Sequence, residues 1–295
     1  MKFLSLIAKI SLVILAIGFT GRFVPLGESL AAFRLPNVLV TSILLVALRK
    51  SMIFYIGLAL VIVSFVSIAA AYLPQKITKD GVYRLYQKNL LSHNQDISAI
   101  REDILSLQDI DFITLQEVSK STDELLPQLV EAFPHQHMCN VPPKNDLAIL
   151  SRWPIIKGQT VCHNAAGIAA MQVQTPAGPI WIISLHHMRP YPYNQARHTH
   201  YLLGSIEALK GNPKVIGGDF NMVPWSYTLK AFETVSNTHH ARPAVNSFKL
   251  PYISLTIPID HVLVPKNSKA RTQRRGKKGS DHFGVIAEFN LPYAQ

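Results

Sequence analysis

The sequence lacks the marks of several protein classes. It has only two cysteines in 295 residues, Cys139 and Cys162, and it contains neither a zinc-type spacing of cysteine and histidine nor an internal repeat. A zinc-bound module and a repeat architecture are therefore excluded. The two cysteines would bond in an oxidising compartment, but their number alone does not decide whether they do so.

Charge is scarce in the first quarter of the chain. Hydrophobic residues make up 48% of the sequence, a high share for a purely soluble protein, and the excess lies in this region. The run from Ser51 to Leu73 has no charged residue at all. It is longer than the roughly 20 apolar residues that cross a bilayer, so it predicts a transmembrane helix.

Two further apolar segments precede this run. The segment at 3–20 is broken only by Lys9, and because no A-x-A site follows it, a membrane helix is favoured over a cleaved signal peptide. The segment at 35–48 is long enough only if it extends back to about residue 30, with Arg34 snorkelling from its outer turn. The sequence thus predicts three spans, at about 3–20, 30–48 and 51–73, with one or two spans as alternatives.

Lysine and arginine at the span ends predict the orientation. If Lys2, Lys9, Arg49 and Lys50 face the cytoplasm, three crossings place everything after Leu73 outside. We therefore predict a multi-pass protein of the inner or plasma membrane. Its catalytic domain, residues 76–295, would lie on the periplasmic or extracytoplasmic side.

After the last span, strand-like and helix-like segments are interspersed. Apolar runs predict strands at 81–89, 111–118, 146–155, 169–175, 179–187, 258–264 and 283–290. Helices are predicted after a cap at Asn94 or Asp96, from a capping-box pattern at Ser121 through Phe133, and from about Asn194 to Leu209. This order indicates a mixed α/β sandwich with the sheets inside and the helices outside.

The stretch "KVIGGDFNMV", residues 214–223, shows a pattern that recurs along the chain. Glycine, aspartate and asparagine after a short apolar strand are typical of a turn, with the glycines allowing a sharp bend. However, several other strands also end in groups that bind metal or transfer protons. These groups are Asn89, Glu117, His186 with His187, Asp219 with Asn221, Asp260, and Asp281 with His282. If the strand ends converge, the groups form one site.

The residue types suit the hydrolysis of a phosphate ester. Mg²⁺ prefers carboxylate and amide oxygens, which Glu117, Asp281 and Asn89 offer. Asp219 and His282 are candidates for the base that activates water. Asn221 and His186 are candidates for stabilising charge on the phosphate oxygens.

At this point the sequence resembles the endonuclease/exonuclease/phosphatase superfamily. An early Asn89 is followed in the family's order by "LQEV", "AILSRWPI", a strand ending in histidine, "GDFN", "IDHV" and "SDHFG", over roughly residues 81–292. The resemblance implies a four-layered α/β sandwich, that is, two packed mixed β-sheets flanked by helices. It also implies a Mg²⁺ cofactor, with Mn²⁺ as the alternative.

The resemblance also implies a role for each residue of the motifs. Glu117 would be the principal Mg²⁺ ligand, with Asn89 and Asp281 completing the metal group. Asp219 would orient or deprotonate the attacking water, and Asn221 would hold a phosphate oxygen. His282, paired with Asp260, and His186 would stabilise the transition state; His186 is favoured over His187.

The resulting hypothesis is a membrane-anchored, Mg²⁺-dependent phosphoesterase that acts on phosphodiester bonds. The family's many nucleases, and a basic run at 266–278 with seven positive charges, favour nucleic acid as the substrate. The predicted spans favour a phospholipid or another small phosphodiester. The basic run would contact phosphate or anionic headgroups, or else form a solvated loop. A catalytically inactive binding module is the further alternative, and no obligate protein partner is predicted.

Overall fold

A computed structural model describes residues 2–77, 82–107, 109–119, 122, 124–140, 146–163, 167–211, 213–251 and 255–291. The N-terminal helices are α1 (Lys2–Ile17), α2 (Pro25–Ala32), α3 (Arg34–Leu44, followed by a 3-10 turn, Leu45–Leu48) and α4 (Met52–Tyr72). The elements that follow are β1 (Val82–Asn89), α5 (Ile97–Leu105), β2 (Phe112–Val118), α6 (Leu125–Gln128), β3 (His135–Cys139), β4 (Asp146–Ser151), β5 (Ile155–His163), β6 (Ile168–Thr175), β7 (Gly178–His186), α7 (Gln195–Ala208), β8 (Lys214–Asp219), α8 (Tyr227–Ser236), β9 (Thr238–His240), β10 (Phe248–Lys249), β11 (Thr256–Ile257), β12 (Asp260–Pro265), β13 (Ala270–Arg274) and β14 (Val285–Asn290).

Two six-stranded mixed sheets form the centre of the protein. Their strand orders are β13-β14-β1-β2-β4-β3 and β5-β6-β7-β8-β12-β9. The inner faces share one apolar core, which includes Leu85 and Phe112 from the first sheet and Met171 and Ile182 from the second. The α/β sandwich predicted from the sequence is therefore confirmed.

Helices cover the outer face of each sheet. Ile100 and Ile104 of α5 pack on the first sheet, whereas Leu202 of α7 and Phe232 of α8 pack on the second. The strand residues on the outer face of each sheet and the helix residues that cover them are fully buried. Both faces of each sheet are apolar, so each sheet needs a covering layer on both sides. The molecule thus has four layers, in the order helix, sheet, sheet, helix.

Among the described residues, only α4 is a helix long and apolar enough by itself to cross a membrane, with a mean hydropathy of 2.6 over its most apolar window. The α1 helix has 16 residues, so it is about 24 Å long, against the roughly 30 Å of a bilayer core. The α2 and α3 helices meet at a bend of 78°. The structure therefore supports one span, or two if the bent pair counts as one, and three straight spans are not supported.

Arg34 lies at the bend of the middle segment, as the first residue of α3. The sequence predicts that Arg34 snorkels outward, but its side chain is buried and its guanidinium stacks 3.9 Å from the centre of the Phe19 ring. Arg34 Nη2 donates to the carbonyl of Gly18 at 2.6 Å, and Nη1 donates to that of Trp225 at 3.3 Å. The arginine therefore holds the helices against the rest of the protein and does not reach outward.

Two local predictions of secondary structure differ from the structure. Where a helix was predicted through Phe133, the described residues contain only the single turn α6, and Ser121 of its predicted cap lies outside them. Part of the basic run is strand β13, because Ala270 and Thr272 are buried while Arg271 pairs with Glu288 at 2.6 Å. A solvated loop is thus the wrong interpretation for residues 270–274.

The glycines of "KVIGGD" have a different role from the predicted bend. Gly217 and Gly218 lie inside β8 and are not in the left-handed region. A Cβ at Gly217 would overlap the Thr114 side chain of the opposite sheet, and a Cβ at Gly218 would overlap the Leu185 carbonyl of the neighbouring strand. Glycine is needed here for close approach, and the turn comes after Asp219.

A disulfide joins Cys139 and Cys162. Cys139 ends β3, an edge strand of the first sheet, and Cys162 lies on β5, an edge strand of the second. The bond therefore ties the two sheets together along one side of the sandwich. It encloses a loop with a sequence separation of 23, for which loop entropy predicts a stabilisation of about 3 kcal/mol.

Candidate active site

The topology brings the polar strand ends to one edge of the sandwich. The β1 and β2 strands are parallel neighbours, and so are β7 and β8, with His186 opposite Asp219. The β12 strand runs antiparallel to β8 and begins with Asp260 opposite Asp219. Because parallel strands end at the same edge and an antiparallel neighbour begins there, the predicted convergence is observed.

Asp219 lies at the centre of the cluster. Its Oδ2 accepts a hydrogen bond from Asn89 Nδ2 at 3.1 Å and lies 3.6 Å from His186 Nε2 and 3.8 Å from His282 Nε2. The side chain is almost fully buried. Burial raises the pKa of Asp219 to about 7, although the nearby His282 opposes this rise.

His282 and Asp260 form a buried pair. His282 Nδ1 donates to Asp260 Oδ2 at 2.8 Å, and Gln87 Nε2 donates to the other oxygen of Asp260 at 3.1 Å. Burial alone would lower the pKa of His282, but the carboxylates of Asp260 and Asp219 outweigh it and raise that pKa to about 9. His282 is therefore protonated at neutral pH, with Nε2–H facing Asp219.

A distortion of β2 aims Glu117 into the site. The pairing of β2 with β4 shifts register between Leu115 and Val118, and Glu117 has a φ of 55°. A β-bulge of this kind redirects a side chain, and a non-glycine residue at positive φ is strained, a combination that clusters at functional sites. Burial alone would raise the pKa of Glu117, but His186 and hydrogen bonds from Asn89 and Ser92 hold it below its usual value.

Asn89 holds two carboxylates together. Its Nδ2 donates to Glu117 Oε1 and to Asp219 Oδ2, each at 3.1 Å. The amide oxygen accepts from the backbone N–H of Leu91 at 2.9 Å. The sequence predicts that this Asn89 oxygen binds a cation. Because it accepts the Leu91 N–H, it points away from the two carboxylates in this geometry.

The two adjacent histidines separate onto opposite faces of the sheet. His186 Nε2 lies 3.8 Å from Glu117 Oε1 and joins the cluster. His187 is buried on the helix side, where it contacts the hydroxyl of Thr199 at 3.0 Å and packs edge-on against Phe232. The geometry therefore agrees with the choice of His186 as the site residue.

Asn221 and Asp281 lie at the border of the cluster. Asn221 Nδ2 donates to the His187 carbonyl at 2.8 Å and approaches Asp219 Oδ2 at 3.3 Å. Both amide hydrogens thus face protein acceptors, and the phosphate-binding role of Asn221 stays a prediction. Asp281 Oδ1 lies 3.8 Å from His282 Nε2 and is buried, with no hydrogen-bond partner in the part of the chain that the structure describes.

Lys88, which lies immediately before Asn89, belongs to none of the strand-end motifs in the sequence. Its side chain is fully buried, and Nζ donates to the carbonyls of Lys277 and His282 at 2.7 Å each and to that of Gly276 at 3.3 Å. Burial lowers the pKa of Lys88 to about 8. The available signal was a charged residue directly before Asn89 in a predicted strand, since a charge buried in a sheet needs partners.

The donor set fits a divalent cation. Glu117 and Asp219 share one amide donor, so two carboxylates lie close together, and Asp281 adds a buried oxygen that has no hydrogen-bond partner among the described residues. Oxygen-rich sites of this kind suit Mg²⁺ or Mn²⁺. The ligand atoms of Asp219, Asp260 and His282 also lie within 4.8 Å of one another, a spacing that could hold a metal. However, the bond between Asp260 Oδ2 and His282 Nδ1 already engages one ligand atom of each residue.

Comparison with known proteins agrees with this geometry. A model of the Endonuclease/Exonuclease/phosphatase family matches residues 87–282, well over half of the chain. The match includes every residue of the cluster, from Lys88 to His282. No significant match was found among curated proteins.

Solved structures share the fold at low sequence identity. Truncated Caenorhabditis elegans TDP2 is 12% identical, with a TM-score of 0.56 over 71% of this chain and 98% of its own. Sphingomyelinase C from Streptomyces griseocarneus is 16% identical, with a TM-score of 0.55 over 70% and 99%. A mutant of beta toxin from Staphylococcus aureus with bound magnesium ions is 14% identical, with a TM-score of 0.54 over 70% and 99%.

Proposed function

The chain belongs to the Endonuclease/Exonuclease/phosphatase family, and we propose that it is a membrane-anchored, Mg²⁺-dependent hydrolase of phosphodiester bonds. The observation that carries this proposal is the convergence of Glu117, His186, Asp260 and His282 on the buried carboxylate of Asp219. A binding module would not need a base, a charged imidazole and an oriented carboxylate at the same point.

In this proposal, Glu117 and Asp281 hold the cation, and Asn89 orients Glu117. When bound, Mg²⁺ or Mn²⁺ neutralises negative charge on the phosphate oxygens. Three observations support the choice of metal: the oxygen donors, the Oδ1 of Asp281, which accepts no hydrogen bond from the described residues, and the magnesium ions bound to the structurally similar beta toxin.

The chain's own residues supply the proton chemistry. Asp219, with a pKa near 7, accepts a proton from the attacking water. His282 remains an imidazolium because Asp260 fixes its Nδ1–H, so Nε2–H can stabilise charge on the phosphate and the leaving oxygen. Burial lowers the pKa of His186, so this residue acts as a neutral hydrogen-bond donor.

Two substrate classes remain in the proposal. The basic side chains of residues 266–278 favour nucleic acid. A phospholipid or another small phosphodiester is favoured by the packing of the N-terminal helices on Val223 and Trp225, just after Asn221, which brings the site near a bilayer. A membrane lipid surface is thus a proposed partner, and no obligate protein partner is proposed.

We propose α4 as the membrane anchor and the extracytoplasmic side for the catalytic domain. The Cys139–Cys162 disulfide supports this side, because such bonds form and persist in oxidising compartments. We also propose that the catalytic domain begins near residue 76, after this anchor. The test is a reporter protein that fluoresces only in the cytoplasm, fused to the C-terminus. Fluorescence of this fusion would overturn the proposed orientation.

Assay of the full chain against a panel of phosphate esters is the decisive experiment. The full chain in detergent should hydrolyse at least one of plasmid DNA, RNA, sphingomyelin, phosphoinositides or bis(p-nitrophenyl) phosphate when Mg²⁺ is present, and chelation should stop the reaction. Glu117→Gln and His282→Ala should each reduce kcat/KM by about a thousandfold or more. Lys249→Ala, an exposed change, is the matched control. No hydrolysis of any substrate would favour the inactive binding module.

A further inference from the structure

A cavity of about 550 Å³ lies at the junction between the N-terminal helices and the catalytic domain. The helices contribute Phe19, Arg34 and the last turns of α4, and the domain contributes Trp225, Lys266 and Ser268. The residues of the catalytic cluster do not line it. It is therefore separate from the proposed active site.

The cavity wall is strongly basic. Arg34, Lys230, Arg242 and Lys266 line it, and Glu233 is the only acidic residue among the described residues of the wall. Glu233 is already engaged, because its two oxygens accept from the backbone N–H of His240 at 2.7 Å and from Lys230 Nζ at 3.0 Å. The excess of positive charge favours an anionic ligand.

Two buried donors in the wall lack acceptors within the described residues. They are Arg34 Nε and Ser268 Oγ, and both side chains are more than nine-tenths buried. A buried donor without an acceptor is destabilising, so a ligand with several acceptor oxygens would complete this wall. A phosphate group has this chemistry, and its charge matches that of the cavity.

The position of the cavity indicates where such a phosphate comes from. The wall includes Ala70 and Ala71, at the end of the proposed membrane anchor. Arg242 Nη1 donates to the Ala70 carbonyl at 3.0 Å, and the Tyr72 and Trp225 rings lie 6.3 Å apart beside it. Aromatic and basic side chains at the end of a span mark the headgroup level of a bilayer.

We propose that this cavity binds the phosphate headgroup of an anionic membrane lipid, with Arg34, Lys266 and Ser268 as its donors. The acyl chains would lie along the exposed apolar side of α4. The lipid is a ligand at the junction and is not turned over there, so the proposal does not depend on the hydrolytic activity. The binding of one lipid would join the membrane anchor to the catalytic domain.

The test uses the full chain in a non-ionic detergent. Calorimetry with dioctanoyl phosphatidylglycerol, dioctanoyl phosphatidylcholine and inorganic phosphate should show binding of the first at least tenfold tighter than of the other two. Lys266→Ala removes an exposed charge and should weaken phosphatidylglycerol binding about tenfold. Lys157→Ala, on the distant β5 strand, is the control for net charge and should have no effect.

Ser268→Ala separates a ligand role from a structural one. It removes an unpartnered donor, so it should weaken lipid binding while leaving Tm unchanged or slightly higher. Equal binding of the two lipids, or equal effects of Lys266→Ala and Lys157→Ala, would overturn the proposal. Inorganic phosphate that binds as tightly as phosphatidylglycerol would make this a soluble-anion site and would overturn the lipid assignment.

Discussion

At the residue scale, the bond from His282 Nδ1 to Asp260 controls the charge of the site. Both side chains are buried, and the 2.8 Å bond fixes the tautomer that presents Nε2–H to Asp219. The same carboxylate is the main reason that the pKa of His282 rises to about 9 despite burial. A neutral residue at position 260 would therefore change the charge of the imidazole at physiological pH.

This dependence gives a prediction about pH. In the wild type, kcat/KM should rise as Asp219 ionises near pH 7 and fall as His282 loses its proton near pH 9. Asp260→Asn removes the carboxylate that favours the imidazolium, so the falling limb should move to lower pH by at least about one unit. The measurement is kcat/KM from pH 5 to 10 with a substrate that the wild-type protein hydrolyses.

The control for this profile is Asp109→Asn. Asp109 is an exposed carboxylate that pairs with Arg84, far from the site edge. Its replacement should leave both limbs in place. A falling limb that does not move in Asp260→Asn would contradict the role given to this carboxylate.

At the element scale, the segment before β14 is held by a buried lysine. Lys88 reaches from β1 to the carbonyls of residues 276, 277 and 282. Ser280 adds a second link, because its hydroxyl donates to the Asn89 carbonyl at 2.8 Å and accepts from the His282 N–H at 3.0 Å. The segment that carries Asp281 and His282 is therefore positioned by the strand that carries Asn89.

Replacing Lys88 should misplace this segment. Lys88→Met keeps the apolar stem but leaves buried carbonyls without donors, so kcat/KM should fall by about tenfold to a hundredfold. Assays well below the Tm of the variant separate misplacement from unfolding, and Lys249→Met on the surface is the control. Unchanged activity in Lys88→Met would show that the segment needs no such support.

The sequence predicts the central strands of the two sheets better than the edge strands. The β2 and β7 strands are buried on both faces, so their apolar runs predict them directly. The β5 edge strand is mostly exposed and β13 is rich in arginine, so neither has the pattern of a strand. Their pairing comes from tertiary contacts that a local pattern does not contain.

The same limit applies to the site. The order of strand-end motifs predicts which side chains converge, because parallel strands share an edge. It does not predict the bulge that turns Glu117 inward or the Leu91 N–H that orients the Asn89 amide. The sequence does not predict the role of Lys88 for the same reason, because its partners are backbone carbonyls nearly two hundred residues away.

At the scale of the whole molecule, the N-terminal helices are part of the folded protein. Residues of α1 to α4 share an apolar cluster with Val223 and Trp225. The Glu28 carboxylate accepts from the N–H groups of Tyr227 and Thr228, at the first turn of α8. A carboxylate at a helix N-terminus is stabilising, so the helices support the second sheet's outer layer directly.

Removing the helices should expose this contact. The isolated domain 76–295 loses the partners of Val223 and Trp225 as well as the cap on α8, so its Tm should be lower and it should bind a hydrophobic dye. Trp225→Gln in the isolated domain should reduce the dye signal. A monomeric domain with the Tm of the full chain would show that the helices are an independent anchor.

The two glycines of β8 make the site intolerant of genetic change. Every missense mutation at Gly217 or Gly218 adds at least one carbon, and that carbon would meet Thr114 of the facing sheet or the backbone of Leu185. The adjacent strands could give way only by moving apart, and they carry His186 and Asp219 at their ends. A population of sequences descended from this chain should therefore retain both glycines wherever it retains the activity.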